Sequence, residues 1–357
     1  WTATLSLHPG EALEEGEQLR IGNVRFVAGV PRPGEQSALA LESTWGLARG
    51  MPVESLGLLR IPVAPRRLLD AHGEPLDGLG AAPADFAIVR RGAPTTPPTP
   101  DARSWLMTGW GAIDLFAPIL NGGRTGLYDR DLGRQMGVDV LARLLVPFFS
   151  RTQSVVYASI ASSSSMTHDF GEAWKYYSLN AEYPLHRLTS GIDEPPASWL
   201  QTAWAALSLA EQLSARGKVL LVIEGVDWLD RADSLLDNPR STVERLQERI
   251  WASPIWALLA QTATSARDEA LDTRISVPSV RWVCNLDMVI DGLGSWSRLP
   301  VEQLSGLHRD LLAKLLAEFA EGRDAARRIS RGQALPADSD LLKRVHELDQ
   351  FSISLFH

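Results

Sequence analysis

Residues 106–145 read LMTGWGAIDLFAPILNGGRTGLYDRDLGRQMGVDVLARLL. Gly109 and Gly111 make a turn, an apolar run follows, and Gly122-Gly123 turn the chain again. Thr125 to Tyr128 then read as a short strand, followed by a tight loop and a helix over 134–147. Strand, loop and helix in that order form the layout of a phosphate-binding turn. The loop itself, Asp129-Arg130-Asp131-Leu132-Gly133-Arg134-Gln135-Met136, has other chemistry. A phosphate cradle needs several glycines, so that backbone N–H groups can turn inward, with a Lys for the β/γ-phosphates and a Ser or Thr for Mg²⁺. Here a single Gly133 remains, two aspartates add negative charge, and Gln135 and Met136 close the loop. An amide carries no charge, and a thioether is a poor ligand for a hard cation.

On both sides of this stretch the pattern is that of an α/β protein. Strand-like runs occur at SVVYASIA (154–161), KVLLVIEGV (218–226), PIWALLAQT (254–262) and SVRWVCNLDMVI (279–290). They alternate with helical patterns at 170–180, 197–216 and 240–251. Buried strands separated by amphipathic helices predict a mostly parallel sheet. Residues 1–62 hold short β-like runs broken by Gly and Pro, which predict a small β-barrel. The stretch 79–100, containing APTTPPTP, reads as an extended connector without a helix. From Val301 onward the pattern is helical only, most strongly in LHRDLLAKLLAEFAEGRDAARRI. The expected division is therefore 1–62, 63–302 and 303–357.

The chain of 357 residues is long enough for two or three domains with a sizeable core. Its apolar (45%) and charged (22%) contents are those of an ordinary globular protein. A net charge of −8, with no Lys/Arg cluster, argues against nucleic acid as a general partner. The single Cys284 rules out an internal disulfide framework. No apolar run reaches the roughly 18 residues a membrane span needs, so no direct membrane insertion is expected. No signal-peptide pattern follows Trp1, and the expected setting is cytoplasmic. The seven His residues show no metal-ligand spacing, so no metal site is expected. Tryptophans such as Trp199 and Trp204 sit among Ala and Leu at helical spacing and read as packing.

Three features bear on chemistry. The strand KVLLVIEGV delivers a carboxylate, Glu224, near its end, where an acid can orient Mg²⁺ or water; many α/β strands also end in an acid with no such role. The strand VVYASIA runs into Ser162-Ser163-Ser164-Ser165, where water activation would require a carboxylate base. Arg298 follows a Gly-rich turn (Gly292, Gly294), from which it could reach a neighbouring subunit.

Taken in order, these residues resemble the nucleotide-binding subunits of rotary ATPases (F-, V- and A-type). STWGLARGMPV (43–53) with DAHGEPLDG (70–78) is similar to the end of that family's β-barrel and the entry to its nucleotide domain. TGWGAIDLFAPILNGGRTGLY (108–128) resembles the approach to the P-loop. DEPPASWLQTAWAALSLAEQL (193–213) and VLLVIE (219–224) resemble the helix and Walker B strand. GSWSRL (294–299) is similar to the turn that carries an arginine finger in the non-catalytic subunits, and 322–351 to the helical end of V/A-type B subunits. The resemblance implies an N-terminal β-barrel, a RecA-like P-loop NTPase domain and a short C-terminal helical domain.

The departures set the expected role. On the family pattern the P-loop lysine falls at Arg134 or Gln135 and its magnesium-binding neighbour at Gln135 or Met136. The catalytic glutamate falls near Ser162, and the Walker B aspartate is replaced by Glu224. The expectation is a pseudo-ATPase of the non-catalytic B/α type, with Gly133, Arg134, Gln135 and Glu224 lining a degenerate nucleotide cleft. Its partner is a competent subunit of the same family in a hetero-oligomeric ring, with rotor, stalk or membrane-sector proteins beyond, peripheral to a membrane and concerned with ion transport. Arg298 is the candidate trans finger. No cofactor is required for this role, although an ATP or ADP pocket can outlast the phosphate grip. The alternatives are a stand-alone structural or regulatory scaffold, and a weak ATPase using Arg134 in place of Lys.

Overall fold

The computed structural model describes residues 2–6, 13–32, 35–91, 152, 154–163, 168–173, 184–236 and 241–262. Short pieces at 105–106, 119–120, 124–129, 280–281, 296–297, 305–311, 313–314 and 317 are also described. Gly133, Arg134, Gln135, Met136, Cys284 and Arg298 lie outside the described residues, as do the expected helix at 134–147 and the tail beyond 317. The chain divides into two compact units, 1–101 with 138–261 and 102–137 with 262–357.

The first unit begins with an antiparallel sheet of β1 (Thr2–Ser6), β2 (Glu17–Ile21), β3 (Val24–Arg32), β4 (Glu35–Ala40) and β5 (Val53–Leu58), in the order β1-β4-β3-β2-β5. A two-residue turn, Gly22-Asn23, sets β2 against β3 with Ile21 opposite Val24. Side chains alternate along β3, as the pleat requires. Phe26 and Ala28 join Leu19 and Ala38 in a core on one face, while Val27 faces a second, larger core with Leu39 and Leu41. Next come β6 (Arg60–Pro62), β7 (Leu68–Leu69) and β8 (Phe86–Ile88), the last pairing antiparallel with β6. The expected connector at 79–100 thus contains one short strand.

The second unit supplies β9 (Trp105–Leu106), paired antiparallel with β10 (Ile119–Leu120), and β11 (Arg124–Asp129), where TGLY predicts a strand.

The centre of the first unit is a parallel sheet. Its strands are β7, β12 (Ser154–Ser162), β13 (Leu185–Gly191), β14 (Val219–Glu224) and β15 (Trp256–Thr262), side by side as β7-β13-β12-β14-β15. Every residue of β14 is buried, as is β12 beyond Ser154, which explains their unbroken apolar runs. Helix α1 (Pro196–Ser214) starts on Pro195-Pro196, a pair suited to a helix entry because proline's missing N–H costs nothing there. All of α1 except Glu211, Gln212 and Ser214 is buried, and it packs on β12, β13 and β14. Its all-round apolarity is that of a helix with protein on every side. Helix α2 (Val226–Leu235) follows β14 directly. Helix α3 (Thr242–Ala252) is capped by Ser241, whose hydroxyl accepts the Glu244 N–H at 3.3 Å. In the second unit β16 (Val280–Arg281) pairs with β17 (Trp296–Ser297). Among the described residues no helix is long and apolar enough to cross a membrane.

Candidate functional site

The chain passes from β12 to β13 on one side, then to β14 on the other side of β12. The direction of winding therefore reverses between β12 and β14. In an open parallel sheet that reversal leaves a crevice beyond the carboxyl ends of the two strands, where such folds take their ligands. Glu224 is the last residue of β14 and lies opposite Ser159 of β12. The apolar run that drives Val219–Ile223 inside carries this carboxylate in with it.

Glu224 is only 6% exposed. One oxygen, Oε2, accepts from the Tyr157 hydroxyl and, at 3.3 Å, from the Ser159 hydroxyl. The other, Oε1, is buried and has no hydrogen-bond partner among the described residues. Burial pushes the Glu224 carboxyl pKa up, while the two hydroxyls pull it back down. Burial, and then the neighbouring carboxylate charge, push the Tyr157 phenol well above its ordinary range. Its ring is held flat against Phe170, with centroids 4.0 Å apart and planes 5° from parallel. The strand exit is equally close-fitted. Gly225 has φ 82°, and a β-carbon there would lie 2.5 Å from the Ile160 carbonyl oxygen, so only glycine lets β14 leave past β12.

At the end of β12 the chain places Ser162, whose hydroxyl donates to the Ser163 carbonyl at 3.1 Å. A serine there supplies no proton acceptor comparable with a carboxylate. Among the described residues, no group of three or more His, Cys, Asp or Glu could hold a metal. An open cleft of about 840 Å³ lies one strand further over, past the ends of β12 and β13.

Of the residues singled out from sequence, Glu224 occupies the strand-end position expected of it. Gly133, Arg134, Gln135 and Arg298 lie outside the described residues. The sequence does not single out Tyr157 and Ser159 as its partners. Their signal is faint: two hydroxyl-bearing residues at alternate positions in an otherwise apolar strand. The described part of the chain is thus an α/β protein with a parallel sheet and a buried acid at its winding reversal. Compared with models of known protein families, the chain matches none.

Proposed function

We propose that this chain is a non-catalytic, pseudo-ATPase subunit of a rotary-type ATPase assembly, packed beside a competent subunit of the same family. In this reading the parallel sheet belongs to a RecA-like domain, the antiparallel sheet to an N-terminal β-barrel, and the C-terminal region to a helical domain. One observation carries the reading. The acid at the winding reversal is turned inward and held by hydroxyls, and the neighbouring strand ends in serine. A carboxylate that serves Mg²⁺ must offer a free oxygen to the cleft. Glu224 offers one oxygen to Tyr157 and Ser159 and keeps the other sealed from solvent. These residues do not fit a magnesium site, and Ser162 does not fit the role of a base.

The active contribution in this reading is Arg298, presented to the terminal phosphate held by the neighbour. An arginine supplied in trans is worth about 10³- to 10⁵-fold in phosphoryl transfer. The test is the complex purified through this chain. A partner carrying GxxxxGK[ST] is expected, and Arg298→Ala is expected to lower ATP turnover by at least two orders of magnitude on that scale. Unchanged turnover in the assembled variant removes the finger assignment. A chain that purifies alone as a monomer favours the scaffold reading, and steady ATP hydrolysis by the chain alone overturns the non-catalytic one.

A further inference from the structure

The open cleft beyond β12 and β13 is separated from Glu224 by the width of a strand, and its floor is made by β13. Arg187 and Thr189 alternate on that strand, so both side chains fall on one face. Both line the cleft. Among the described residues, neither the Arg187 guanidinium nor the Thr189 hydroxyl makes a hydrogen bond or an ion pair. Arg187 is half-buried; burial lowers its pKa and the charge of Asp77 raises it. Asp77 is already committed: Arg67 holds it through Nε at 2.7 Å and through Nη2 at 2.8 Å, and the Leu68 N–H donates to it at 3.1 Å. A cation on the floor of a cleft whose compensating carboxylate is already hydrogen-bonded to another arginine has room for an anionic group from outside.

The lip of the cleft has the opposite sign. The chain turns at Gly191, and the carboxylates of Asp193 and Glu194 converge over it. A β-carbon on Gly191 would lie 2.5 Å from Asp193 Oδ1 and 3.4 Å from Glu194 Oε1, so both carboxylates stand close over the turn. Glu194 is occupied by the Gly191 N–H at 2.8 Å. Asp193 is exposed, and among the described residues it has no ion pair. A dianionic phosphate would meet Arg187 but also the carboxylates of Glu172, Asp193 and Glu194 on the lining. A simple cation would meet the reverse conflict.

We propose that this cleft binds a small zwitterion of the α-amino-acid type, its carboxylate on Arg187 and Thr189 and its ammonium toward Asp193. A planar guanidinium fork matches a carboxylate, and a short-chain hydroxyl beside it supplies a further donor. The cleft is far larger than this head group, so recognition lies in the two charges and leaves the side chain of the ligand unconstrained. The site does not depend on the ATPase-assembly reading.

The experiment is saturation-transfer NMR on the full chain with glycine, L-leucine, L-glutamate and L-lysine as probes. N-acetyl-L-leucine and L-leucine methyl ester are the blocked controls. Free amino acids are expected to show transfer, and each blocked form is expected to bind at least tenfold more weakly. Asp193→Asn, an exposed change that leaves the fold intact, is expected to weaken binding severalfold, and Arg187→Met to weaken it at least tenfold. No transfer from any free amino acid overturns the proposal. So does equal transfer from the N-acetyl compound, which marks a simple carboxylate site, or binding unchanged in Asp193→Asn. If Arg187→Met fails to fold, the blocked ligands and Asp193→Asn decide by themselves.

Discussion

A carboxylate that ends a buried strand can face a ligand or be held by its own neighbours, and Glu224 Oε2 accepts from the Tyr157 hydroxyl. Tyr157→Phe keeps the ring and its stack on Phe170 but leaves Oε2 with the Ser159 bond alone. Urea denaturation is expected to show a loss of about 1–3 kcal/mol, the cost of an under-satisfied buried acceptor. A second residue gives the protein a pH dependence. His186 is buried on the face of β13 opposite Arg187, and its Nδ1 has no partner among the described residues. Burial pushes its pKa down to about 4. The unfolded chain takes up this proton near pH 6.5, the folded chain only near pH 4, so between those values the unfolded state binds more protons. The stability due to neutral His186 is therefore complete above pH 6.5 and is lost as pH falls toward 4. Against His186→Leu measured over the same range, the wild-type chain is expected to lose up to about 3 kcal/mol more on acidification.

At the scale of elements, β12 carries the strain. Its register against β13 shifts between Ser159 and Ser162, and Ala161 in that interval has φ 51°, a left-handed conformation rare for a residue with a β-carbon. Ala161→Gly is expected to change stability by less than about 1 kcal/mol, because relief of strain offsets the greater freedom of the unfolded chain. Ala161→Val is expected to cost on the order of 2 kcal/mol or more, since a β-branched residue resists that conformation. Thermal melting of the pair checks both. The elements also show what the sequence discloses. β12, β14 and α1 were legible because an unbroken apolar run or an all-round apolar helix has few other places to go. β13 was not: LHRLTSG interleaves His186, Arg187, Thr189 and Ser190 with two leucines, although the strand is largely buried. α2 was not legible either, because Gly225 alone separates it from β14 and no polar loop announces the change. The strand-end acid could be read from its position. Tyr157 could not, because within a buried run a tyrosine reads as one more large side chain. The cleft at Arg187 was hidden with β13 itself.

At the scale of the first unit, arginines fasten the N-terminal segment to the helices. Arg245 of α3 grips Glu15 with two bonds of 2.7 and 2.8 Å and donates to the Arg91 carbonyl at 2.9 Å. Its guanidinium stands 5.2 Å from the ring centre of Trp204 on α1. Arg91, itself buried, donates to Gln201 at 2.5 Å. Arg249 holds Glu211 through Nε at 2.9 Å. Beneath these polar ties the larger core is continuous: Val27, Leu39, Leu41, Leu59 and Ile61 belong to the same buried cluster as Val156, Leu200, Trp204 and Ile223. The N-terminal sheet is therefore no exchangeable module. A fragment starting at Val63 would strip Val27, Leu39, Leu41, Leu59 and Ile61 from that interior and leave Arg245 without Glu15. It is expected to bind a hydrophobic dye, to lose the near-ultraviolet dichroism of its tryptophans and to refold only when residues 1–62 are added back. Grafting this sheet onto a foreign α/β body would have to carry over α1 and α3 with it.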